Sequence, residues 1–184
     1  MLHDGDTFEL GARLFKVAMP YDDYPQEPWS EEDGHGPVTD WTTRAKRPSE
    51  MVLIKDNHHR RYYDFAAAVK LARKDGWDTE PYNQGTKGER AARAAYADYN
   101  RLRRFCAGDW GYIGVVVALL DDNGDETDET ESLWGVESDC GDYMEEVAHE
   151  LAREILARVP IRDYPGVHLP ELTRTAFSLS FVSC

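Results

Sequence analysis

The chain has 184 residues and a formal net charge of −14, with 35 Asp and Glu residues against 21 Lys and Arg residues. Hydrophobic residues make up 41% of the chain and aromatic residues 11%. This content is enough for a core and excludes a disordered acidic tail, which is poor in aromatic residues. The length predicts a single domain over residues 1–184.

The charge is segregated along the chain. Residues 1–43 carry 10 acids and 2 bases, residues 44–104 carry 8 acids and 15 bases, and residues 105–184 carry 17 acids and 4 bases. Only the middle segment clusters enough Lys and Arg to contact nucleic-acid phosphates. Segregated charges of this kind are typical of proteins whose surfaces meet partners, and they also allow a homodimer in which unlike surfaces face each other.

Targeting features are lacking in the sequence. The start, Met1–Asp4, has neither the basic nor the apolar region of a signal peptide. The longest apolar run, Val115–Leu120, is far shorter than the ~20 residues that cross a bilayer. We therefore expect a cytoplasmic protein with no membrane association. The odd number and wide spacing of Cys106, Cys140 and Cys184 predict reduced thiols.

The first third of the chain indicates strands and one long loop. Apolar and polar residues alternate over Thr7–Met19, which predicts one or two strands broken near Gly11. Residues 20–50 form a long irregular region rich in Pro, Gly and aromatic residues, and a loop of this length tends to be functional or mobile. Met51–Ile54 and Arg60–Tyr63 predict a pair of strands.

Two helices are predicted next. Asp64 suits the N-cap of the first helix, which Gly76 ends. The second begins at Thr86–Glu89, which matches a capping box. Three- and four-residue spacing predicts that one face of the second helix is apolar. That face comprises Ala92, Ala95, Tyr96, Tyr99, Leu102 and Cys106.

The last third predicts a hairpin, a helix and a final strand. Tyr112–Leu120 reads as a buried strand, and Asn123-Gly124 is a strong hairpin signal. Asp139 is the expected cap of a third helix, and Thr175–Val182 is expected to be the last strand. Together these elements predict an α+β fold with an antiparallel sheet of about five to six strands, covered on one face by two to three helices.

A ridge of arginines follows the second helix. The side chains of Arg90, Arg93, Arg101 and Arg104 fall within about 80° of one another on a helical wheel. Arginine binds phosphate and carboxylate bidentately, so the ridge suits nucleic acid or the acidic segment of this chain or a neighbour. A solvated helix face explains the same pattern. The nucleic-acid hypothesis adds four residues: Arg60, Arg61 and two candidate stacking platforms, Tyr62 and Tyr63.

The acidic segment is the sharpest anomaly. From Asp121 to Glu150 there are 13 acids and no Lys or Arg. On the predicted third helix, Asp142, Glu146, Glu150 and Glu154 recur every four residues, a rise of about 6 Å. Phosphates on one DNA strand follow every 3.4 Å, so such a row matches alternate phosphates. A purely solvated acidic face, helped by the helix dipole and by a Glu154–Arg158 pair, is the competing interpretation.

We therefore select a set of carboxylates as candidates for binding a basic partner. Their expected role is to occupy a Lys- and Arg-lined channel that normally holds phosphates. The candidates are Asp121, Asp122, Asp125, Glu126, Asp128, Glu129, Glu131, Asp142, Glu146 and Glu150.

Catalytic and metal signals are weak throughout. The run beginning at Asp121 lacks the Gly and Glu that a calcium loop needs, and residues 84–88 have the wrong order for a phosphate-binding loop. An enzyme would need a pocket that brings together His58, Asp64 and Asp109, which nothing in the sequence places near one another. Trp110 and Trp134 are expected to be buried. We predict no catalytic residue, no metal site and no cofactor.

The order of segments resembles a group of small, uncharacterised acidic proteins of tailed phages and prophages. The resemblance covers about residues 52–158. It is carried by Asp64–Trp77, Thr86–Glu89, Tyr99–Cys106, Asp109-Trp110, Gly114–Val117 and Glu131–Ser138. It implies a protein made in a bacterial host cell that binds a host or defence protein.

Two functional hypotheses follow for this chain. The first is a non-enzymatic phage-type accessory protein that binds a host nucleic-acid-handling protein, as an anti-defence inhibitor whose acidic surface mimics DNA. The alternative is a nucleic-acid-binding protein that uses the arginine-rich helix.

Overall fold

The computed structural model describes residues 2–30, 34–77 and 84–159. This part of the chain contains six strands, three α-helices and a short 3₁₀ helix at Pro28–Ser30. The strands and helices, in chain order, are β1 (Thr7–Leu10), β2 (Arg13–Ala18), β3 (Glu50–Asp56), β4 (His59–Asp64), α1 (Phe65–Asp75), α2 (Lys87–Ala107), β5 (Tyr112–Leu120), β6 (Glu126–Glu137) and α3 (Tyr143–Arg158).

Four strands form an antiparallel sheet in the order β1-β2-β5-β6. Gly11 and Ala12 turn the chain between β1 and β2 with positive φ angles of 59° and 55°. The Asn123-Gly124 turn joins β5 to β6, with φ of 87° at the glycine. The hairpin signal in the sequence therefore gave the correct turn, because glycine adopts this left-handed conformation without steric cost.

Helix α3 covers one face of this sheet. Its buried residues pack on alternate residues of the strands, including Phe15, Val17, Val115 and Val117, all of which are fully buried. Because every second residue of a strand lies on the same face, the apolar residues of these strands all face α3. This one helix therefore completes the core. The buried residues of α3 are Val147, Ala148, Leu151, Ala152 and Ile155. We call β1, β2, β5, β6 and α3 the four-stranded half.

The other elements build a second core. Strands β3 and β4 form a two-stranded antiparallel sheet against which α1 and α2 pack. Backbone bridges from Val38 to Tyr63 and from Thr42 to Arg60 cover the outer edge of β4. The buried residues are Leu53, Tyr63, Ala68, Ala95, Tyr99 and Leu102. We call β3, β4, α1 and α2 the hairpin half.

The helix ends follow the sequence closely. The side chain of Asp64 accepts a hydrogen bond from the backbone N–H of Ala67, and Gly76 ends α1 in the left-handed conformation. Thr86 and Glu89 form the reciprocal capping box at the start of α2. Both helices therefore begin at the residues whose side chains satisfy their free N–H groups.

The prediction of an α+β fold with six antiparallel strands and helices is confirmed, with three differences in detail. The six strands lie in two sheets of four and two rather than in one. Helix α3 begins at Tyr143, because Asp139 binds arginines of α2 and Asp142 takes the N-cap position. Tyr96 is half exposed, and Ala91 takes its place in the buried face of α2. The predicted strand Thr175–Val182 lies outside the described residues.

Aromatic and polar contacts join the two halves. The indole Nε1 of Trp110 donates to the carbonyl of Arg101 at 2.9 Å, and the Arg101 guanidinium lies 4.1 Å from the centre of the Trp110 ring. Phe105 of α2 packs against both Trp110 and Tyr112. Trp110 is buried as expected. None of the helices in the described residues has the length and apolar character needed to cross a bilayer.

Candidate acidic binding surface

Helix α3 presents a row of carboxylates to solvent. Glu146, Glu150 and Glu154 are exposed and recur every four residues, opposite the face that packs on the sheet. None of these three side chains forms an ion pair within the described part of the chain. Asp142, at the N-cap, is exposed and makes no capping bond through its side chain. Within the described residues, therefore, no cation of this chain pairs with the row.

A second set of acids follows β6, which is an edge strand of the sheet. Glu126, Asp128 and Glu129 are exposed, and Glu131 is half-buried. Charged residues on an edge strand also discourage unwanted strand pairing, which is the structural explanation for them.

The two sets adjoin each other. Arg158, one turn beyond Glu154 on α3, donates to the carboxylate of Glu131 and lies 4.0 Å from that of Glu129. The C-terminal end of α3 therefore lies beside Glu129 and Glu131 of the edge strand. We call the α3 row together with Glu129 and Glu131 of β6 the acidic surface. Glu126 lies on the opposite face of the sheet, beside Lys16.

Two cations within the described part of the chain pair with carboxylates of β6, and the sequence pattern predicted neither pair. Lys16 Nζ donates to Glu126 Oε1 at 2.6 Å across the sheet. Arg158 binds Glu131 rather than Glu154, its expected helical partner. The strand register brings these pairs together, and no local spacing signals them.

The acids of the β5–β6 turn have a local role. Asp121 Oδ1 accepts backbone hydrogen bonds from Asn123 and Asp125 at 2.8 and 3.0 Å. These bonds, first from Asp125, hold the pKa of the Asp121 carboxyl below its ordinary value. Asp121 therefore fixes the turn, while Asp122 and Asp125 are exposed at its tip.

The arginine ridge of α2 is largely used inside the molecule. Arg101 Nη2 donates to Glu137 Oε2 at 2.6 Å and to Asp139 Oδ1 at 3.1 Å, and Arg104 Nη2 donates to Asp139 Oδ2 at 3.2 Å. The hydrogen bond from Arg101 lowers the pKa of Asp139. Of the interpretations left open by the sequence, pairing with the acidic segment of the same molecule therefore applies to these two arginines.

The remaining arginines of that set also have internal contacts. Arg90 and Arg93 donate to the carbonyls of Gly85 and Gln84 at the start of α2, at 3.2 and 2.5 Å. They therefore help to fix the chain that enters this helix.

The arginines and tyrosines of β4 make their contacts within the molecule. Arg61 donates to Glu27 at 2.5 Å and lies over the rings of Trp29 and Trp41. Arg60 exchanges backbone hydrogen bonds with Thr42. The two candidate stacking platforms, Tyr62 and Tyr63, are fully buried.

A buried polar network in the hairpin half escaped the sequence analysis. Tyr63 Oη donates to Asp98 Oδ2 at 2.7 Å, and His35 Nδ1 lies 2.6 Å from Asp98 Oδ1. The Gly36 N–H also donates to Asp98. Burial, with Asp98 alongside, raises the pKa of the Tyr63 phenol. This network holds the loop at residues 35–36 against α2, so its role is structural.

The residues considered for catalysis are dispersed. Asp64 caps α1, His58 lies exposed in the β3–β4 turn, and Asp109 lies 4.0 Å from Arg104 beyond the end of α2. Burial raises the pKa of the Cys106 and Cys140 thiols. Among the residues that the structure describes, no group of three or more His, Cys, Asp or Glu side chains is arranged to hold a metal ion.

Exposed apolar side chains accompany the acidic surface. Leu133 and Trp134 of β6 and Tyr143 of α3 are 41%, 51% and 44% exposed. The expectation that Trp134 is buried is wrong, because its side chain lies on the face of the sheet that α3 does not cover. Its ring packs directly on Gly114, where a Cβ atom would lie 2.8 Å from Trp134 Cε3.

Comparison of the chain with protein-family models, with curated proteins and with solved structures gave no match.

Proposed function

We propose that this chain is a non-enzymatic binding protein whose acidic surface occupies a Lys- and Arg-lined channel of a nucleic-acid-handling protein. The observation that carries the proposal is the row Glu146, Glu150 and Glu154, exposed at a repeat of about 6 Å and without an internal ion-pair partner in the described residues. Like charges four residues apart destabilise a helix, so helix stability does not explain the row.

The surroundings of the row add support. Glu129 and Glu131 extend the negative surface alongside α3, and Leu133 and Tyr143 offer exposed apolar contact area next to it. Interfaces are enriched in aromatic side chains at their centres. The phage origin, the bacterial cytoplasm as location and the role as an anti-defence inhibitor belong to this proposal as the setting that the resemblance implies.

The alternative, direct nucleic-acid binding through α2, has less support. Arg101 and Arg104 already bind Glu137 and Asp139, and the hairpin tyrosines are buried. Breaking these pairs would leave two carboxylates exposed to the incoming phosphates, which costs binding energy.

The test is capture from a nuclease-treated bacterial lysate at low and high salt. The wild-type chain is compared with the double variant Glu146→Lys/Glu150→Lys. The matched control is Asp56→Lys/Asp75→Lys, which reverses two exposed carboxylates of the hairpin half. We expect a captured protein that itself binds DNA or RNA, is lost with the α3 variant and at high salt, and is retained by the control.

Competition decides whether the capture reflects mimicry. Duplex DNA added to the purified complex should displace this chain, because both occupy the same cationic channel. Capture that survives the α3 charge reversal contradicts the proposal. Recovery of nucleic acid from a parallel untreated lysate, lost on nuclease treatment, would instead favour the arginine helix. Sizing the free protein by light scattering tests the homodimer.

A further inference from the structure

One hydrogen-bonding edge of strand β6 is unpaired in the part of the chain that the structure describes. The strand pairs with β5 on one side, and within the described residues no strand pairs with its other side. An open edge presents unsatisfied N–H and C=O groups to any extended chain that approaches.

The pairing shows which groups point outward. The Asp22 N–H donates to Tyr112 O, and the Gly114 N–H donates to Pro20 O, so the even-numbered residues of β5 direct their backbone groups towards β2. Val116 and Ala118 continue this alternation, and their partners across the strand pair are Ser132 and Thr130. The backbone groups of Ser132 and Thr130 therefore face the open edge.

One contact in the molecule already uses this edge. The Arg158 guanidinium donates to the carbonyl of Thr130 at 3.3 Å while it binds the carboxylate of Glu131. A cation is thus held by an edge carbonyl and a neighbouring carboxylate together. A basic side chain of an added strand would be bound by the same two kinds of group, an edge carbonyl and a carboxylate.

The side chains beside the edge define what fits. Glu129, Glu131 and Leu133 alternate with the outward-facing residues and lie on the α3 side, so Leu133 is the apolar position in an acidic row. An extended segment added here would place every second side chain beside these residues. Lys or Arg at the first two positions would share Glu129 and Glu131 with Arg158, and an apolar side chain suits the third position.

We propose that an extended basic segment of the partner protein adds to β6 as a further strand of the sheet. This inference rests on the proposed function and specifies how the partner is held. Charge selects a basic strand over a second copy of this chain. Strand β6 carries five acids and no base, and pairing two such strands sets like charges opposite one another.

The experiment uses the full-length chain and a synthetic peptide of alternating Lys and Val as the probe. A second peptide of the same sequence carries N-methyl groups on alternate backbone amides, which removes hydrogen bonds but keeps the charge. Calorimetry at fixed salt should show about tenfold weaker binding of the methylated peptide, which is the effect of roughly one net hydrogen bond.

The matched protein variants are Ser132→Pro and Ser132→Ala. Proline removes the outward N–H and is tolerated on edge strands, whereas alanine leaves the backbone unchanged. Ser132→Pro should weaken the unmethylated peptide by about tenfold and leave the methylated one unchanged, while Ser132→Ala should stay within about twofold. Circular dichroism checks that both variants fold, and the comparison of the two peptides on the wild-type chain does not depend on either variant.

Failure of the strand addition and failure of the proposed function give different results. Equal binding of the two peptides to the wild-type chain overturns the strand addition. The proposed function survives that result if Glu146→Lys/Glu150→Lys still abolishes partner capture. A gain in peptide binding in the full-length variant Leu179→Pro would show that the chain's own C-terminal segment competes for the edge, and it would also overturn the inference.

Discussion

The hairpin half and the four-stranded half use charge in opposite ways. In the hairpin half, Glu50 binds Arg44 and Asp98 binds His35, and both carboxylates are nearly or fully shielded from solvent. In the four-stranded half, the carboxylates of the α3 row are exposed and unpaired within the described residues. The buried pairs of the first half hold the fold together, whereas the carboxylates of the α3 row are the ones for which we propose a partner.

The largest expected effect tests whether the two halves fold as one unit. Leu102→Ala in the hairpin half and Ile155→Ala in the four-stranded half each empty a fully buried site. Each should lower the free energy of unfolding by about 2–5 kcal/mol. Because Trp110 and Arg101 join the halves, urea denaturation followed by circular dichroism and by fluorescence should show one shared transition in both variants. Two separated transitions in either variant would contradict the prediction of a single domain.

A somewhat smaller effect is expected from Glu50→Gln. The hydrogen bond from Arg44 holds the pKa of the Glu50 carboxyl at about 2. Removing the charge should cost about 2–4 kcal/mol, less than for a fully buried pair because Arg44 is one-third exposed. The exposed Glu9→Gln is the control and should change the free energy of unfolding by less than about 0.5 kcal/mol.

The pH dependence of the Glu50 contribution has a defined sign. The folded-state pKa lies below the ordinary Glu value of about 4.3. The stabilisation is therefore present above that ordinary value and is lost as the pH falls towards about 2. Urea titrations between pH 2 and pH 6 should show this loss in the wild type and its absence in Glu50→Gln. Parallel pH curves for the two proteins would refute the assignment.

The junction between the halves should be less sensitive. Arg101→Gln removes the ion pairs to Glu137 and Asp139 and should cost about 1–2 kcal/mol, because the guanidinium is one-third exposed. The exposed Arg153→Gln on α3 is the control.

Asp139 provides a direct readout of the same substitution. Arg101 lowers its pKa, so its stabilising contribution is present above the ordinary Asp pKa and is lost as the pH falls through the lowered one. In Arg101→Gln the Asp139 pKa should rise towards its ordinary value in a carboxyl NMR titration. An unchanged Asp139 titration would show that Arg101 is not its principal partner.

The smallest effect is expected from substitutions in the α3 row, and it is a gain in the free energy of unfolding rather than a loss. Glu150→Lys removes repulsion with Glu146 and Glu154 and should raise the free energy of unfolding by about 0.5 kcal/mol at low salt. Glu150→Gln should give about half of that gain, and added salt should shrink both gains. A loss of stability in Glu150→Lys would mean that the row contributes to the fold rather than to binding.

The sequence predicted the local features of this molecule well. Asp64, Gly76 and the capping box at Thr86 mark helix ends through contacts within a few residues. The Asn123-Gly124 turn follows from local conformation. Each of these signals is complete within one short segment, so tertiary context does not alter it.

The features that the sequence did not predict depend on long-range pairing. Arg101 meets Glu137 and Asp139 only because α2 packs beside the end of β6, and no spacing in the sequence encodes that contact. The division of the strands into two sheets is equally non-local. Trp134 is exposed because it lies on the face of the sheet that α3 does not cover, whereas its residue type alone favoured burial. The acid-rich composition of residues 121–150 identified the candidate acids, but nothing in the sequence predicted that Lys16 and Arg158 contact two of them.

The exposure of Trp134 and Trp41 gives each half of the molecule its own optical probe. Trp134 is 51% exposed beside the β6 carboxylates, while Trp41 is 43% exposed with the Arg61 guanidinium 5.4 Å from its ring centre. A cationic collisional quencher such as caesium is concentrated near carboxylates, and an anionic one such as iodide is repelled by them. Caesium therefore reports preferentially on Trp134 and iodide on Trp41. A partner strand added at the edge of β6 would protect the first emission and leave the second unchanged.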